Sequence, residues 1–244
     1  MTALTPAQPS HNELRARTGL ALRELGHALV GHDADDERLT RIASQLEELT
    51  DELETGDSRE RDPNSFDTWG ESVVDGAPMK SYDDRPFSGR SSPWGLDIEV
   101  HRHGDEARAR VTLQEAHEGA PGRSHGGIVA GLFDDMFGFV LGITHQPAFT
   151  GELWLRYEAP TPLHRPLSCR ARLVQRVGRK LMMTGELIDV SADGEPVLVR
   201  ATATMIAIDM VDLGGLSAEL PPPEEADALP DDGWAASVSR GAGR

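Results

Sequence analysis

The chain has 244 residues, enough for one medium domain with additions or two small ones, and a formal net charge of -17 with a pI of about 4.8. The acid excess disfavours nucleic-acid binding as a primary role, because that needs a basic face. The single cysteine, Cys169, excludes an internal disulfide and most cysteine-based metal sites. The first residues lack the basic start and apolar run of a secretory signal. No continuous apolar run reaches bilayer-spanning length, so the sequence predicts a soluble, cytoplasmic chain with no membrane span.

Residues 1–9 read as disordered. Ser10-His11-Asn12-Glu13 has the Ser-x-x-Glu form of a capping box and opens a helical pattern through Leu14, Leu20, Leu22, Leu25 and Leu29, with Gly31 as its stop. A second helix is predicted over about 35–53, with Leu39, Ile42, Ala43, Leu46, Leu49 and Leu53 on one stripe. Residues 1–54 thus form a helical hairpin: a lid, an acyl-chain cover, a docking piece, or an accessory hairpin on the outer surface. Residues 55–94 are rich in Gly, Pro, Asp and Ser and read as a linker or wrapping arm. Phe66, Trp69, Met79, Tyr82, Phe87 and Trp94 are expected to anchor that arm.

Leu96, Ile98 and Val100 alternate, Gly104-Asp105 marks a turn, and Ala107, Ala109, Val111 and Leu113 alternate again, which predicts a β-hairpin. A tight loop at residues 118–122 leads into a helix ending near Gly142. Four strand patterns follow, at 150–158, 167–177, 181–190 and 196–208, read as a meander with turns at Gly178-Arg179 and Asp193-Gly194. An antiparallel sheet of this kind has one apolar face to cover, and one helix covers it, so the domain at 95–209 is α+β. The acidic, Pro-rich tail at 210–244 has too few apolar residues to offset ordering entropy, with Trp234 as a possible anchor. Charge is uneven. Asp and Glu concentrate before Asn64 and after Val211, whereas Arg165, Arg170, Arg172, Arg176, Arg179, Lys180 and Arg200 fall between Thr150 and Ile208, where an anionic ligand is expected.

The most informative stretch is Ser124 to Gly138. A glycine-rich loop runs into a helix with Ile128, Val129, Leu132, Met136, Phe139 and Val140 on one stripe. Gly127, Ala130, Gly131, Gly138 and Gly142 lie on the other face. Such a helix is enclosed, yet Asp134 and Asp135 sit in its middle, and a buried carboxylate needs a partner or a function. Asp135 lies about 100° round the helix from Asp134 and is read as a structural hydrogen-bonder. The helix N-terminus offers unpaired N–H groups, with Gly126 the first choice and Gly127 the second for an oxyanion donor.

His125-Gly126-Gly127 opening a helix, with Asp134 nine residues after the histidine, resembles the hotdog-fold acyl-CoA thioesterases of the PaaI-like, HGG-containing group. Thr150–Tyr157, Pro160-Thr161-Pro162-Leu163 and Gly178-Arg179-Lys180 are similar to the family's later landmarks, and the resemblance covers roughly residues 96–208. It implies an antiparallel sheet wrapped around a central helix, and hydrolysis of a fatty or aromatic acyl-CoA. Asp134 would be general base or nucleophile, His125 would lie near the thioester or hold the loop, and Thr150 would orient the water. Arg179 and Lys180, with Arg123 and Arg156 behind them, are candidate phosphate contacts, and Phe133 and Phe137 candidate acyl-pocket residues. No metal and no cofactor beyond the coenzyme A thioester substrate is implied. The family pairs protomers into a homodimer, or a dimer of dimers, with shared sites. That suits the spacing, since His125 and Asp134 of one helix are about 13 Å apart. One departure stands out: the Asn or Gln that family members often carry upstream of HGG is replaced here by Glu118 and Gly119. A non-catalytic acyl-CoA binding or sensing protein is therefore the alternative.

Overall fold

The computed structural model describes residues 8–59, 73–79 and 83–208. The proposed anchors Phe66, Trp69 and Tyr82 and the tail at 210–244 lie outside them. Two helices come first, α1 (His11–Gly31) and α2 (Asp36–Glu54). Then follow β1 (Glu99–His103), β2 (Glu106–Thr112), a single 3-10 turn at Glu115–His117, α3 (Gly126–Thr144), β3 (Ala148–Tyr157), β4 (Pro166–Val177), β5 (Lys180–Asp189) and β6 (Val197–Ala207). The six strands form one antiparallel sheet in the order β1-β2-β4-β5-β6-β3.

The inner face of the sheet packs against α3 and is smallest in the middle of its strands. Ala107, Ala109, Ala171, Ala201 and Ala203 are buried there. At Gly185 a Cβ would lie 2.9 Å from the Phe133 ring. From the helix, Val129, Leu132, Phe133, Met136, Phe137 and Val140 are fully buried, and they pack with Leu167, Leu181, Met183 and Leu187 of the sheet, which are buried as deeply. By length and composition α3 is the one helix among the described residues that could cross a membrane, but more than half of it is buried inside this fold.

The outer face of α3 is covered by the arm. Gly131, Asp135 and Gly138 share one side of the helix at spacings of four and three. The Phe87 ring sits over Gly131, where even a methyl group would collide with it, and the Arg85 guanidinium lies over Gly138. Arg85 pairs with Asp135 at 3.3 Å and stands 5.4 Å from the centre of the Phe139 ring. The Ser88 N–H donates to the same carboxylate at 2.7 Å. Asp135 is buried, and each of its oxygens has a donor. Replacing Asp135 by Ala leaves a part-buried guanidinium and a buried amide without their acceptor. The expected loss is about 3 kcal/mol, read as a fall in Tm of roughly 10 °C.

The arm in turn carries α1. The Ser10–Glu13 capping box is formed. Gly19 lies against the Ser91 backbone, and the buried Arg23 donates to the carbonyls of Arg90 (3.0 Å) and Ser92 (2.7 Å). The docking face of α1 is therefore small and polar. Leu14, Leu20, Leu22 and Leu29 of the predicted stripe are exposed. Arg23 can dock because its donors reach the Arg90 carbonyl and the Ser92 carbonyl, which has a second lone pair beside the one that takes the Gly95 N–H. The helix ends with an extended His32 after Gly31, without a left-handed glycine.

Three further expectations need correction. The four strands after α3 are not a simple meander: β4, β5 and β6 are, but β3 pairs with β6 at the far edge. Residues 158–165 are too long and too proline-rich for a tight turn, and they cross beneath the N-terminus of α3. There Ser124 N–H donates to Thr161 O at 2.9 Å, and Arg123 bridges to Pro162. Trp94 is 79% exposed and anchors nothing, whereas Met79 is buried. Finally, no residue of α2 is buried.

Candidate active site

The loop before α3 is built to present a helix N-terminus. His125 is the N-cap, with extended backbone, and its Nδ1 accepts the Gly127 N–H at 3.0 Å. This places the imidazole proton on Nε2 in the neutral ring. Its own N–H donates to His117 O at 2.8 Å. The two glycines are thereby distinguished. Gly127 N–H is taken by His125, while Gly126 N–H has no acceptor among the described residues. Glu118 does not face the helix end: its carboxylate takes the Gly122 N–H within the loop, and Gly119 packs against the His125 Cα.

Tyr157 joins this end from the last residue of β3. Its hydroxyl donates to Gly126 O at 2.7 Å, and burial raises its pKa. A Cβ on Gly126 would stand 3.1 Å from that hydroxyl, so a side chain there has to move it by a few tenths of an ångström. The sequence reading gave Tyr157 no role. A tyrosine closing an edge strand carries no local signal of what lies beneath its ring.

More than two turns along α3, Asp134 is exposed in the protomer, and Thr150 Oγ1 donates to its Oδ1 at 2.7 Å. The bulge between Thr150 and Glu152 marks this point on β3. Oδ2 has no partner among the described residues. Asp134 and Gly126 of one chain remain about 12 Å apart along the helix.

The cations divide between the two ends. Most of the arginines between Thr150 and Ile208 are already paired: Arg165 with Asp189, Arg172 with Glu106, Arg170 with Glu186, and Arg200 with both Glu186 and Glu158. Arg179 and Lys180, at the exposed tip of the β4–β5 hairpin, make no ion pair among the described residues; Arg179 Nε donates to Ala207 O. Register places them near Asp134. Leu181 and Thr150 both oppose Met205, so the tip lies about 10 Å from Thr150, two strand spacings away. Arg123 and Arg156 lie instead near the His125 end, Arg156 loosely facing Glu158 at 4.0 Å. Phe133 and Phe137 are fully buried and stack at 6.2 Å, which is core packing with no open face for an acyl chain in the protomer.

Behind the loop is a histidine cluster. His117 is buried edge-on against His27 at 4.7 Å, and its Nδ1 accepts the Gln114 N–H. Burial, helped by His27, pushes its pKa down to about 4, with Glu115 opposing weakly. Burial also lowers the His27 pKa. His164 faces Glu115 from the crossing loop at 3.6 Å. With a folded pKa below the unfolded value, the unfolded chain binds more protons at acid pH, so stability is lost as pH falls from about 6.5 through about 4. The loss from His117 is on the order of 2 kcal/mol. His117→Asn keeps an acceptor for Gln114 but does not titrate, so its Tm should fall less than wild type across that window.

No family model and no curated protein matches the chain. Solved structures do. A crystal structure described as a thioesterase superfamily protein aligns at 23% identity with a TM-score of 0.66, covering 83% of this chain and 93% of that one. The PaaI protein from the phenylacetic acid degradation operon of E. coli aligns at 14% identity and a TM-score of 0.42, covering 47% of this chain and 80% of its own. A hypothetical thioesterase protein from Streptococcus pneumoniae, solved with coenzyme A, gives 17%, 0.42, 46% and 88%. The coverage in the first case exceeds what residues 95–209 alone can supply, so the likeness extends into the N-terminal helices and arm. This chain has the hotdog fold.

Proposed function

We propose that the protein hydrolyses acyl-CoA thioesters at a site shared between two protomers. The observation that carries this reading is the pairing of Thr150 with Asp134 beneath an open strand edge, about two turns along α3 from a Gly126 N–H that has no acceptor among the described residues.

The two edges of the sheet differ. Beside β1, residues 76–79 pair with the strand through Met79 N–H to Val100 O and Arg102 N–H to Ala77 O. Beside β3 nothing among the described residues pairs, and Phe149, Trp154 and Tyr157 are exposed there. A long apolar edge of this kind invites another strand. If β3 pairs antiparallel with its own copy about a two-fold near Leu153, residue 150 faces residue 156 of the partner. The Thr150–Asp134 pair then approaches the partner's Tyr157 and Gly126, so the distance that separates the two groups within one chain is removed.

In such a site the Gly126 N–H of one protomer holds the thioester oxygen as it becomes an oxyanion. Asp134 Oδ2 of the other takes a proton from water, whose oxygen attacks the carbonyl carbon. The C–S bond breaks, and the coenzyme A thiolate leaves and takes a proton. Direct attack by Asp134, giving an acyl-aspartyl anhydride that water then cleaves, uses the same atoms. Arg179 and Lys180 at the Asp134 end are the cations for the coenzyme A phosphates. Water and the thioester suffice, with no metal or further cofactor. The test is thiol release from short, long and aromatic acyl-CoAs. Turnover supports the proposal. Ligand-induced stabilisation without turnover supports a binding or sensing protein instead, the reading that the missing Asn or Gln before His125 favours.

A further inference from the structure

The two N-terminal helices leave a space that the hydrolytic reading does not use. A cleft of about 750 Å³ lies between α1 and α2, within the roughly 300–1,000 Å³ of pockets that hold small organic ligands. Its walls are the apolar stripes that the sequence predicts to be covered: Leu22, Leu25 and Leu29 from α1, and Leu39, Ile42 and Leu46 from α2. Both stripes face the cleft and neither is buried by protein. Apolar surface arranged in two facing rows gains free energy only when something apolar fills the gap.

The position of the cleft indicates what fills it. Its floor belongs to the hotdog domain and to the support of the proposed oxyanion loop. Ile128 stands two residues from Gly126 in the first turn of α3. His117, whose carbonyl holds the His125 N–H, lines the same space. Residues 32–34 of the α1–α2 connection bound it as well, and His32, Asp33 and Arg38, with Arg23 and His27 of α1, are the polar residues of a mostly apolar lining. A linear hydrocarbon with its polar head toward the helix N-terminus suits an apolar space of this size that borders the support of the Gly126 loop.

We infer that the cleft between α1 and α2 binds the tail of a long-chain fatty acyl thioester, making the helical hairpin a selectivity element for the hydrolytic site. This rests on the proposed hydrolysis and names its substrate class. Each methylene buried there would raise affinity by up to roughly fourfold, so long chains gain most.

Gly26 provides the test. It lines the cleft, and a Cβ built on it meets nothing within 4 Å, so a large side chain enters empty space without a backbone clash. Helix propensity also improves when glycine is replaced. In full-length Gly26→Phe, the ratio of kcat/KM for palmitoyl-CoA to that for acetyl-CoA should fall at least tenfold. Ile42→Gln, from the opposite wall, should lower it too. Binding of a polyene fatty acid that fluoresces in apolar surroundings, measured independently of turnover, should be lost in Gly26→Phe. Wild type that cleaves palmitoyl-CoA with a ratio unaltered by Gly26→Phe overturns the inference and leaves hydrolysis standing. Wild type that cleaves no acyl-CoA, but binds the polyene in a manner Gly26→Phe abolishes, overturns hydrolysis and keeps the cleft as an acyl site. A variant that changes only oligomeric size assigns the cleft to a second copy of the chain and overturns the inference.

Discussion

Asp134→Asn should lower kcat for acyl-CoA hydrolysis by roughly a thousandfold, about 4 kcal/mol of barrier, while the protein keeps its fold. The amide has nearly the shape of the carboxylate, and its oxygen can still accept the Thr150 hydroxyl at Oδ1. What is lost is the second carboxylate oxygen as proton acceptor or nucleophile. Because Asp134 is exposed in the protomer, its neutralisation strands no buried cation, and Tm should shift by no more than about 1 kcal/mol worth of stability. The adjacent Asp135 predicts the opposite phenotype, since its carboxylate is buried between Arg85 and the Ser88 N–H. Thiol release and thermal melting on both variants separate the two aspartates. Undiminished turnover by Asp134→Asn would remove it from the mechanism and return attention to His125.

That the two neighbouring aspartates meet different surroundings was legible in the sequence, because one residue step rotates a helix by about 100° and two adjacent carboxylates cannot face the same way. The order of elements was legible too, since strand and helix periods differ and turns such as Gly104-Asp105 mark the boundaries. The position of β3 was not. Strand partners are chosen by contacts between residues far apart in the chain, and nothing local in Thr150–Tyr157 distinguishes pairing with β4 from pairing with β6. The leucine rows of α1 and α2 failed in another way. Periodicity shows that one face is apolar but not what covers it, and α1 docks through Gly19 and Arg23 instead. Arg85 and Phe87 were hidden for a similar reason. The small face of α3 announced that something would approach closely, but not which segment.

Gly126→Pro should be as damaging as Asp134→Asn, with kcat reduced by 10² to 10³, about 3–4 kcal/mol, because it deletes the one N–H offered to the oxyanion. The substitution suits the backbone. Gly126 is the first helical residue, where proline is well tolerated, and His125 before it is already extended at φ -64° and ψ 135°. The ring must displace the Tyr157 hydroxyl by a few tenths of an ångström, which a half-exposed side chain allows. The two inactive variants can then test each other. If each site takes Gly126 from one protomer and Asp134 from the other, unfolding and refolding an equimolar mixture of Gly126→Pro and Asp134→Asn makes about half of the dimers mixed. Each mixed dimer has one fully native site and one doubly defective site, so activity should recover to about a quarter of wild type. A site confined to one chain predicts no recovery, because every protomer in the mixture lacks one of the two groups. The contrast, a quarter of wild-type activity against less than about one per cent, is decided by geometry alone: 1.5 Å of rise per residue keeps Gly126 and Asp134 of the same helix about 12 Å apart, and only a partner's helix can bring them to one carbonyl.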